Sequence, residues 1–313
     1  MVRPREQHAI SNRVWEESGN LLRLCSFVQG GRDTLGLVLD ERVVAARDIG
    51  DDLPGSFHEL LQRGDRGLAE LGERLHAADP ATAEMGLPID ELDLMAPVPS
   101  PGKIVAVGRN YLTHAEESGA DMPEAPLLFA KYTSSLIGHG DEVTWHADLT
   151  SQVDWEAELA VVIGRPTYRV AEEEALASIL GYTCLNDVSA RDLQLGDGQW
   201  VRGKSLDTFC PMGPVLVTAD EIPDPHALPI RCVVNGVVMQ EDVTGHMHFS
   251  ISKLISFASH AFTLWPGDVI ATGTPSGVGV YRDPPVFLAD GDEVIVEIDG
   301  IGSLRNTCRV IVA

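Results

Sequence analysis

The sequence predicts an α+β fold with a mainly antiparallel core, and three observations predict it. Runs of strand character outnumber helical stretches, and the helices interrupt the strands instead of alternating with them. Asn235-Gly236 stands between two apolar runs, the dipeptide that suits a two-residue hairpin turn, and Asp299-Gly300 marks a second turn. The repeated strand–helix–strand units of a doubly wound nucleotide fold are missing.

Taken in order, MVRPREQHAISNRVWEES is a polar arm over residues 1–18, with Arg beside Glu and no apolar run of secretory length. LLRLCSFVQGGRDTLGLVLDERVVAARDI reads as short strands broken by Gly-Gly and Asp-Glu turns. From Ser56 to His76, Phe57, Leu60, Leu61, Leu68, Leu71 and Leu75 recur at three- to four-residue spacing, which predicts a helix. APVPSPG, residues 96–102, is too proline-rich for a helix and reads as a linker between a small β-rich domain over 19–95 and a larger domain over 103–313. In the larger domain KIVAVG, EVTW, ELAVVIG, GPVLVT, RCVVNGVVMQ, DVIATG and EVIVEIDGIGSLRNTCRVIV predict strands. Helices are expected at Ala171 to Leu180, after Asn186, and at Ser250 to Ala261.

At 44% hydrophobic and 22% charged residues over 313 positions, the chain can bury a substantial core. Lys and Arg number 23 against 47 Asp and Glu, a net charge of −24 that repels phosphate backbones and anionic lipid, so nucleic acid and membrane surfaces are poor partners. The apolar-looking stretch Leu254 to Gly267 contains Ser, His, Thr and Pro and is too short to span a bilayer. Cys25, Cys184, Cys210, Cys232 and Cys308 are odd in number and never in C-x-x-C spacing, which speaks against a disulfide framework or zinc ribbon and for a reducing, cytoplasmic location. Only Lys103, Lys131, Lys204 and Lys253 are lysines. Either genome composition makes them scarce, or Lys is kept where a compact ammonium is needed.

VDWEAELAVVIG places Glu156 and Glu158 two apart in a strand, so both carboxylates leave one face. Alone they fit the solvent side of an amphipathic strand. The following Leu159-Ala160-Val161-Val162-Ile163 reads as buried on both faces, and carboxylates entering such a region need a counter-cation, which a hard divalent metal supplies. In GYTCLNDVSARDLQ, Asp187 offers a third carboxylate or, equally, starts a helix whose Ser189 and Asp192 form a capping box. His114 and Glu117 in GRNYLTHAEESG are one helical turn apart, as a general base oriented by a carboxylate or as a solvated pair. VIATGTPSGVG lacks the Gly-Lys-Ser/Thr of a P-loop; its N–H groups and the Thr274 hydroxyl suit a carboxylate, and a plain turn suits the residues as well. His246 and His248 in GHMH read as structural, since no Cys or acidic third ligand stands at zinc-like spacing. HAEESGADMPEAP is polar and Gly-flanked, and reads as a mobile lid that becomes helical over substrate.

VGRNYLTHAEE, PLLFAKYTSSLIG, DWEAELAVVIGR, GYTCLNDVSARDLQ, QWVRGKSLDTFCPMGP, VNGVVMQ and PGDVIATGTPSGVG, taken in series, resemble the fumarylacetoacetate hydrolase family over residues 103–313. Within it the chain is most similar to the acylpyruvate hydrolase and 2,4-diketo-3-deoxy-sugar-acid hydrolase branch. The resemblance implies a mixed β-sandwich roll, a homodimer, and one Mg²⁺ or Mn²⁺, with Ca²⁺ as a substitute, held by Glu156, Glu158 and Asp187. It implies a water-activating dyad of His114 and Glu117, a catalytic Lys204, and substrate contacts from Arg109, Tyr111, Lys131, Gln194 and Thr274. The implied activity is metal-dependent hydrolysis of a C–C bond in a β-diketo acid through a metal-bound enolate, which the metal and Lys204 stabilise. Oxaloacetate-type decarboxylation and 2-hydroxyhepta-2,4-diene-1,7-dioate-type isomerisation pass through the same enolate and stand as alternatives. A β-rich binding module stabilised by Ca²⁺ is the non-enzymatic alternative.

Overall fold

Short strands joined by tight turns open the chain, in a computed structural model that describes residues 22–78 and 81–312. The polar arm over 1–18 lies outside the described residues. Strands β1 (Arg23–Gln29), β2 (Arg32–Leu39) and β3 (Arg42–Ala45) form an antiparallel meander. The expected helix over Ser56–His76 is two helices, α1 (Phe57–Arg63) and α2 (Asp65–Ala77). Ser56 caps the first by accepting from the Glu59 N–H, and Gly64, at φ 56° and ψ −142°, breaks the run in a conformation open essentially to glycine alone.

The main elements that follow are β4 (Ile104–Gly108), α3 (Leu112–Glu117), β5 (Leu127–Lys131), β6 (Glu142–His146), β7 (Ala157–Ile163) and β8 (Ile179–Asn186). Then come α4 (Arg191–Gly196), α5 (Val201–Lys204), β9 (Cys210–Thr218), β10 (Pro229–Val234), β11 (Val237–Val243) and α6 (Ile251–Ala261). Strands β12 (Val269–Ala271), β13 (Glu293–Ile298) and β14 (Gly302–Ile311) complete the set. Asn235 and Gly236, at φ 51° and 78°, make the expected turn between β10 and β11. Asp299-Gly300 lies in the short turn between β13 and β14. The helix expected over Ala171–Leu180 is instead a 3₁₀ stretch, Glu172–Ser178, cut off where β8 takes Ile179 into the sheet.

The larger sheet runs β3-β2-β1-β9-β8-β7-β12-β4-β5 and the smaller β11-β10-β13-β14-β6, each mixing parallel and antiparallel pairs. Val161, Cys184 and Val217 of the first pack with Cys232, Val294, Val296 and Leu304 of the second, so the two sheets share a core. The small domain read over 19–95 carries no closed sheet of its own. Its β1 pairs with β9, Leu24 against Leu216, which satisfies an edge that would otherwise stand open. The proline-rich stretch is likewise held down, with Ala96 and Val98 buried and the Pro97 carbonyl accepting from Ser26 Oγ at 2.9 Å.

The antiparallel register of β7 and β8 sets Ala157 against Asn186, which brings Glu156 and Asp187 together where the strands meet the loops. On the other side of β7, β12 runs antiparallel, Ala160 against Ala271, and β4 runs parallel to β12. The loops after β4 and β12 therefore leave at the same end as the two acids. No described helix is long and apolar enough to cross a membrane.

Gly64→Ala should lower stability by about 1–3 kcal/mol, since it forces a Cβ into the left-handed region. Urea unfolding checks this. A lowered midpoint with unchanged slope is expected, and an unchanged midpoint would show that the α1–α2 break tolerates a side chain.

Candidate active site and metal centre

Glu156, Glu158 and Asp187 are all buried, and one carboxylate oxygen of each lies within 4.8 Å of the others. The alternative of a helix-start role for Asp187 fails. Helix α4 has no side-chain cap, Ser189 Oγ donates to the Asp187 carbonyl at 2.9 Å, and Asp192 accepts from Thr150 Oγ1. The solvent-face alternative for the glutamates fails too, because Glu156 and Glu158 are themselves buried, as is every residue of β7.

Three carboxylates in one buried corner require positive charge. Lys204 Nζ sits between Glu156 Oε2, 2.8 Å away, and Asp187 Oδ2, 2.7 Å away. Arg191 Nη1 donates to Glu156 Oε1 at 2.6 Å and its Nε to Asp154 Oδ2 at 2.8 Å. Lys131 Nζ donates to Asp187 Oδ1 at 2.5 Å and to the carbonyls of Lys204 and Val188. Burial alone would push the Glu156 carboxyl up, but Lys204 and Arg191 outweigh it and hold it well below the usual carboxylate range. Burial would pull the Lys204 ammonium down, and Asp187 and Glu156 keep it above its ordinary value.

Glu158 differs. It accepts a hydrogen bond from the Gly273 N–H at 2.8 Å and has no cationic side chain in salt-bridge contact among the described residues. Burial, then Asp187 and Glu156, push its carboxyl well above the carboxylate range. An all-oxygen donor set with one acid lacking a counter-charge fits a hard divalent cation such as Mg²⁺ or Mn²⁺.

His114 Nδ1 lies 2.8 Å from Glu117 Oε1 on α3, and Glu117 Oε2 accepts from the Gly277 N–H at 2.8 Å. The solvated-pair alternative does not hold, since His114 is 9% exposed. Helix α3 covers the start of the segment read as a lid and is braced from outside. The Asn110 carbonyl accepts from the His248 N–H at 2.7 Å, and the Asn110 side chain bonds both backbone groups of Phe249. The GHMH motif is thus structural, with His246 Nδ1 2.5 Å from Asp242 Oδ1.

The Gly-rich loop after β12 does grip carboxylates, but the protein's own. Gly273 N–H holds Glu158, Gly277 N–H holds Glu117, and Gly279 and Val280 N–H hold Asp154. The Thr274 hydroxyl donates to the Ala157 carbonyl at 2.9 Å and accepts from Gln240 at 2.8 Å, so its proton is not free for a substrate.

Arg109, His114, Glu156, Gln194, Lys204 and Thr274 meet around one open cleft. Lys131 and Tyr111 do not form its wall. Lys131 stands behind Asp187, with its ammonium hydrogen-bonded to that carboxylate and to the carbonyls of Lys204 and Val188, which supports the acid. The Tyr111 ring is buried, and its hydroxyl has no hydrogen-bond partner among the described residues. The cleft also includes Arg191, Trp200 and Tyr281, which sequence reasoning left unassigned. Arg191 carried a signal, being a basic residue four positions after Asp187 in the run DVSAR. Arg109 holds φ at 55° and places its guanidinium 5.9 Å from the Trp200 ring.

Residues 103–309 match the family model described as the fumarylacetoacetate (FAA) hydrolase C-terminal domain. The chain belongs to the fumarylacetoacetate hydrolase family. This family member is 45% identical over 256 residues to human mitochondrial oxaloacetate tautomerase FAHD2A, covering 81% of this chain and 80% of the relative. Its fold matches the fumarylacetoacetate hydrolase of psychrophilic Exiguobacterium antarcticum with a TM-score of 0.80 at 37% identity, covering 93% and 100% of the two chains. It also matches maleylpyruvate hydrolase from Sphingobium sp. SYK-6, solved with manganese(II) and pyruvate, with a TM-score of 0.75 at 33% identity and coverage of 92% and 99%. The expected mixed sheet architecture of the family is therefore present.

A carboxyl pushed up in the free protein must release its proton to ligate a metal. Mg²⁺ or Mn²⁺ binding by this family member should liberate protons, and affinity should rise with pH until Glu158 is ionised unaided. Calorimetry in two buffers of different ionisation heat measures this. A pH-independent affinity without proton release would remove Glu158 from the ligand set. Glu158→Gln should weaken binding by about 10-fold or more.

Proposed function

We propose that this chain catalyses keto–enol tautomerisation of a small 2-oxo diacid of the oxaloacetate type. The observation that carries the reading is the His114–Glu117 dyad opening on the same cleft as Glu156 and Lys204. Its high identity to an oxaloacetate tautomerase over four-fifths of the chain supports the choice of reaction.

With Nδ1 held by Glu117, the Nε2 of His114 is the ring atom left to take and return a proton at the carbon next to the oxo group. Lys204 and Arg191 place positive charge beside the developing enolate oxygen without competing for the proton. Arg109, at the cleft with Trp200, suits the second carboxylate. A divalent ion held by Glu156, Glu158 and Asp187 would supply a Lewis acid that polarises the oxo group. Hydrolysis of a β-diketo acid, the activity expected from the sequence motifs, differs by having His114 deprotonate a water. The likeness to a maleylpyruvate hydrolase supports it as the second reading.

The test is a panel of enol-oxaloacetate, acylpyruvates and sugar-derived diketo acids with Mg²⁺, Mn²⁺ or EDTA. Fastest turnover on enol-oxaloacetate, abolished by EDTA, is the expected result. Faster acylpyruvate cleavage would favour hydrolysis, and release of CO₂ from oxaloacetate would favour decarboxylation. His114→Ala should lose about 10²-fold or more in kcat while keeping metal affinity. Lys204→Arg should cut kcat more than it raises KM, because a planar guanidinium does not fit between Glu156 and Asp187.

The proposal extends to a homodimer in the cytoplasm. Five buried, unpaired cysteines suit a reducing compartment. A solution mass near twice 33.8 kDa is expected, and the monomer value would refute the dimer.

A further inference from the structure

Arg282 stands apart from the reacting groups yet reaches the dyad through a short line of hydrogen bonds. Its Nη2 donates to the Met239 carbonyl at 2.7 Å and to the Gly277 carbonyl at 3.2 Å. Gly277 also accepts from Trp155 Nε1 at 3.2 Å, and its own N–H donates to Glu117 Oε2. Glu117 is left with Oε1 for His114.

The geometry at Gly277 is demanding. Its φ is 102°, and a Cβ there would lie 2.1 Å from the Met239 carbonyl oxygen, so two backbone segments touch at this point. The carbonyls of Gly277 and Met239 carry like partial charges, and one guanidinium nitrogen of Arg282 bridges them by donating to both. Arg282 Nε is buried without a partner among the described residues, a cost that a freely placed arginine would avoid by turning outward. Tyr281, the preceding residue, lies against the His114 ring, with centroids 6.2 Å apart and planes at 56°. One short segment thus meets the dyad from two sides.

We propose that Arg282 is a positioning residue for the His114–Glu117 dyad. By clamping the Gly277 and Met239 carbonyls it aims the Gly277 N–H at Glu117, and so fixes which carboxylate oxygen orients the imidazole. The inference rests on the reading of the dyad as the proton-transferring group, and its test separates the two.

Arg282→Met and Arg282→Lys are compared with the wild type as Mg²⁺-loaded full chains, by steady-state kinetics, calorimetry of Mg²⁺ binding, and hydrogen exchange at Gly277 and residues 112–117. Arg282→Met should lower kcat by about 10- to 100-fold, as expected for a misaimed catalytic group, with KM and Mg²⁺ affinity nearly unchanged. Exchange should quicken at Gly277 and along α3. In a Glu117→Gln background the same substitution should add almost no further loss, because both act through one contact. Arg282→Lys keeps one donor and should recover part of the rate; it also serves if Arg282→Met does not fold. A kcat per folded molecule equal to wild type, or losses that multiply in the double variant, would overturn the proposal. If the wild type turns over none of the oxo acids, the dyad reading fails, and the exchange data alone decide: unchanged protection at Gly277 and α3 would overturn the role of Arg282.

Discussion

Mutual repulsion among Glu156, Glu158 and Asp187 is the constraint around which the site is built. The β7–β8 register brings the three acids together, Glu158 within β7 and Glu156 and Asp187 at the ends of the paired strands. Lys204, Lys131 and Arg191 answer it from three elements, and two of the four lysines in the chain are used here. Taking away one member of such a buried set leaves a naked charge, at a cost on the order of 3–5 kcal/mol. None of these cations forms a salt bridge to Glu158 among the described residues, so that carboxyl is the one whose charge is left least balanced.

Much of this arrangement was legible in the residues, because strand periodicity and local dipeptides act over a few positions. The Asn235-Gly236 turn and the burial of Leu159–Ile163 follow from local pattern, and the spacing of His114 and Glu117 puts them within reach of each other while leaving open whether the pair is buried. What was not legible depended on partners distant in sequence. Nothing near Lys131 says that its ammonium ends on Asp187 and the Lys204 carbonyl, which turns an expected substrate contact into a support. Nor does the periodicity of residues 56–76 reveal that Gly64 breaks one helix into two, since apolar spacing carries across the break. Composition at residues 96–102 suggests a linker, but the pairing of β1 with β9 is a long-range choice that composition does not carry.

The loop after β12 illustrates how a motif can be right in kind and wrong in object. Its glycine N–H groups suit anions, and three separate carboxylates of the protein occupy them. The loop ties Glu158, Glu117 of the His114 pair and the Arg191 partner Asp154 to a single stretch of backbone. Displacement of that stretch would disturb all three at once.

The contrast between the cleft and the rest of the chain bears on how a ligand arrives. Arg109, Arg191 and Lys204 gather at the cleft of a molecule whose net charge is −24. Any dianionic ligand would therefore approach against a repulsive long-range field and meet attraction only within the last few ångströms. Added salt shortens the range of the repulsion to about 8 Å at physiological ionic strength, while leaving the enclosed contacts comparatively untouched. Encounter with this protein should therefore be favoured by ionic strength, the reverse of the behaviour of enzymes that draw anionic substrates in by electrostatic steering.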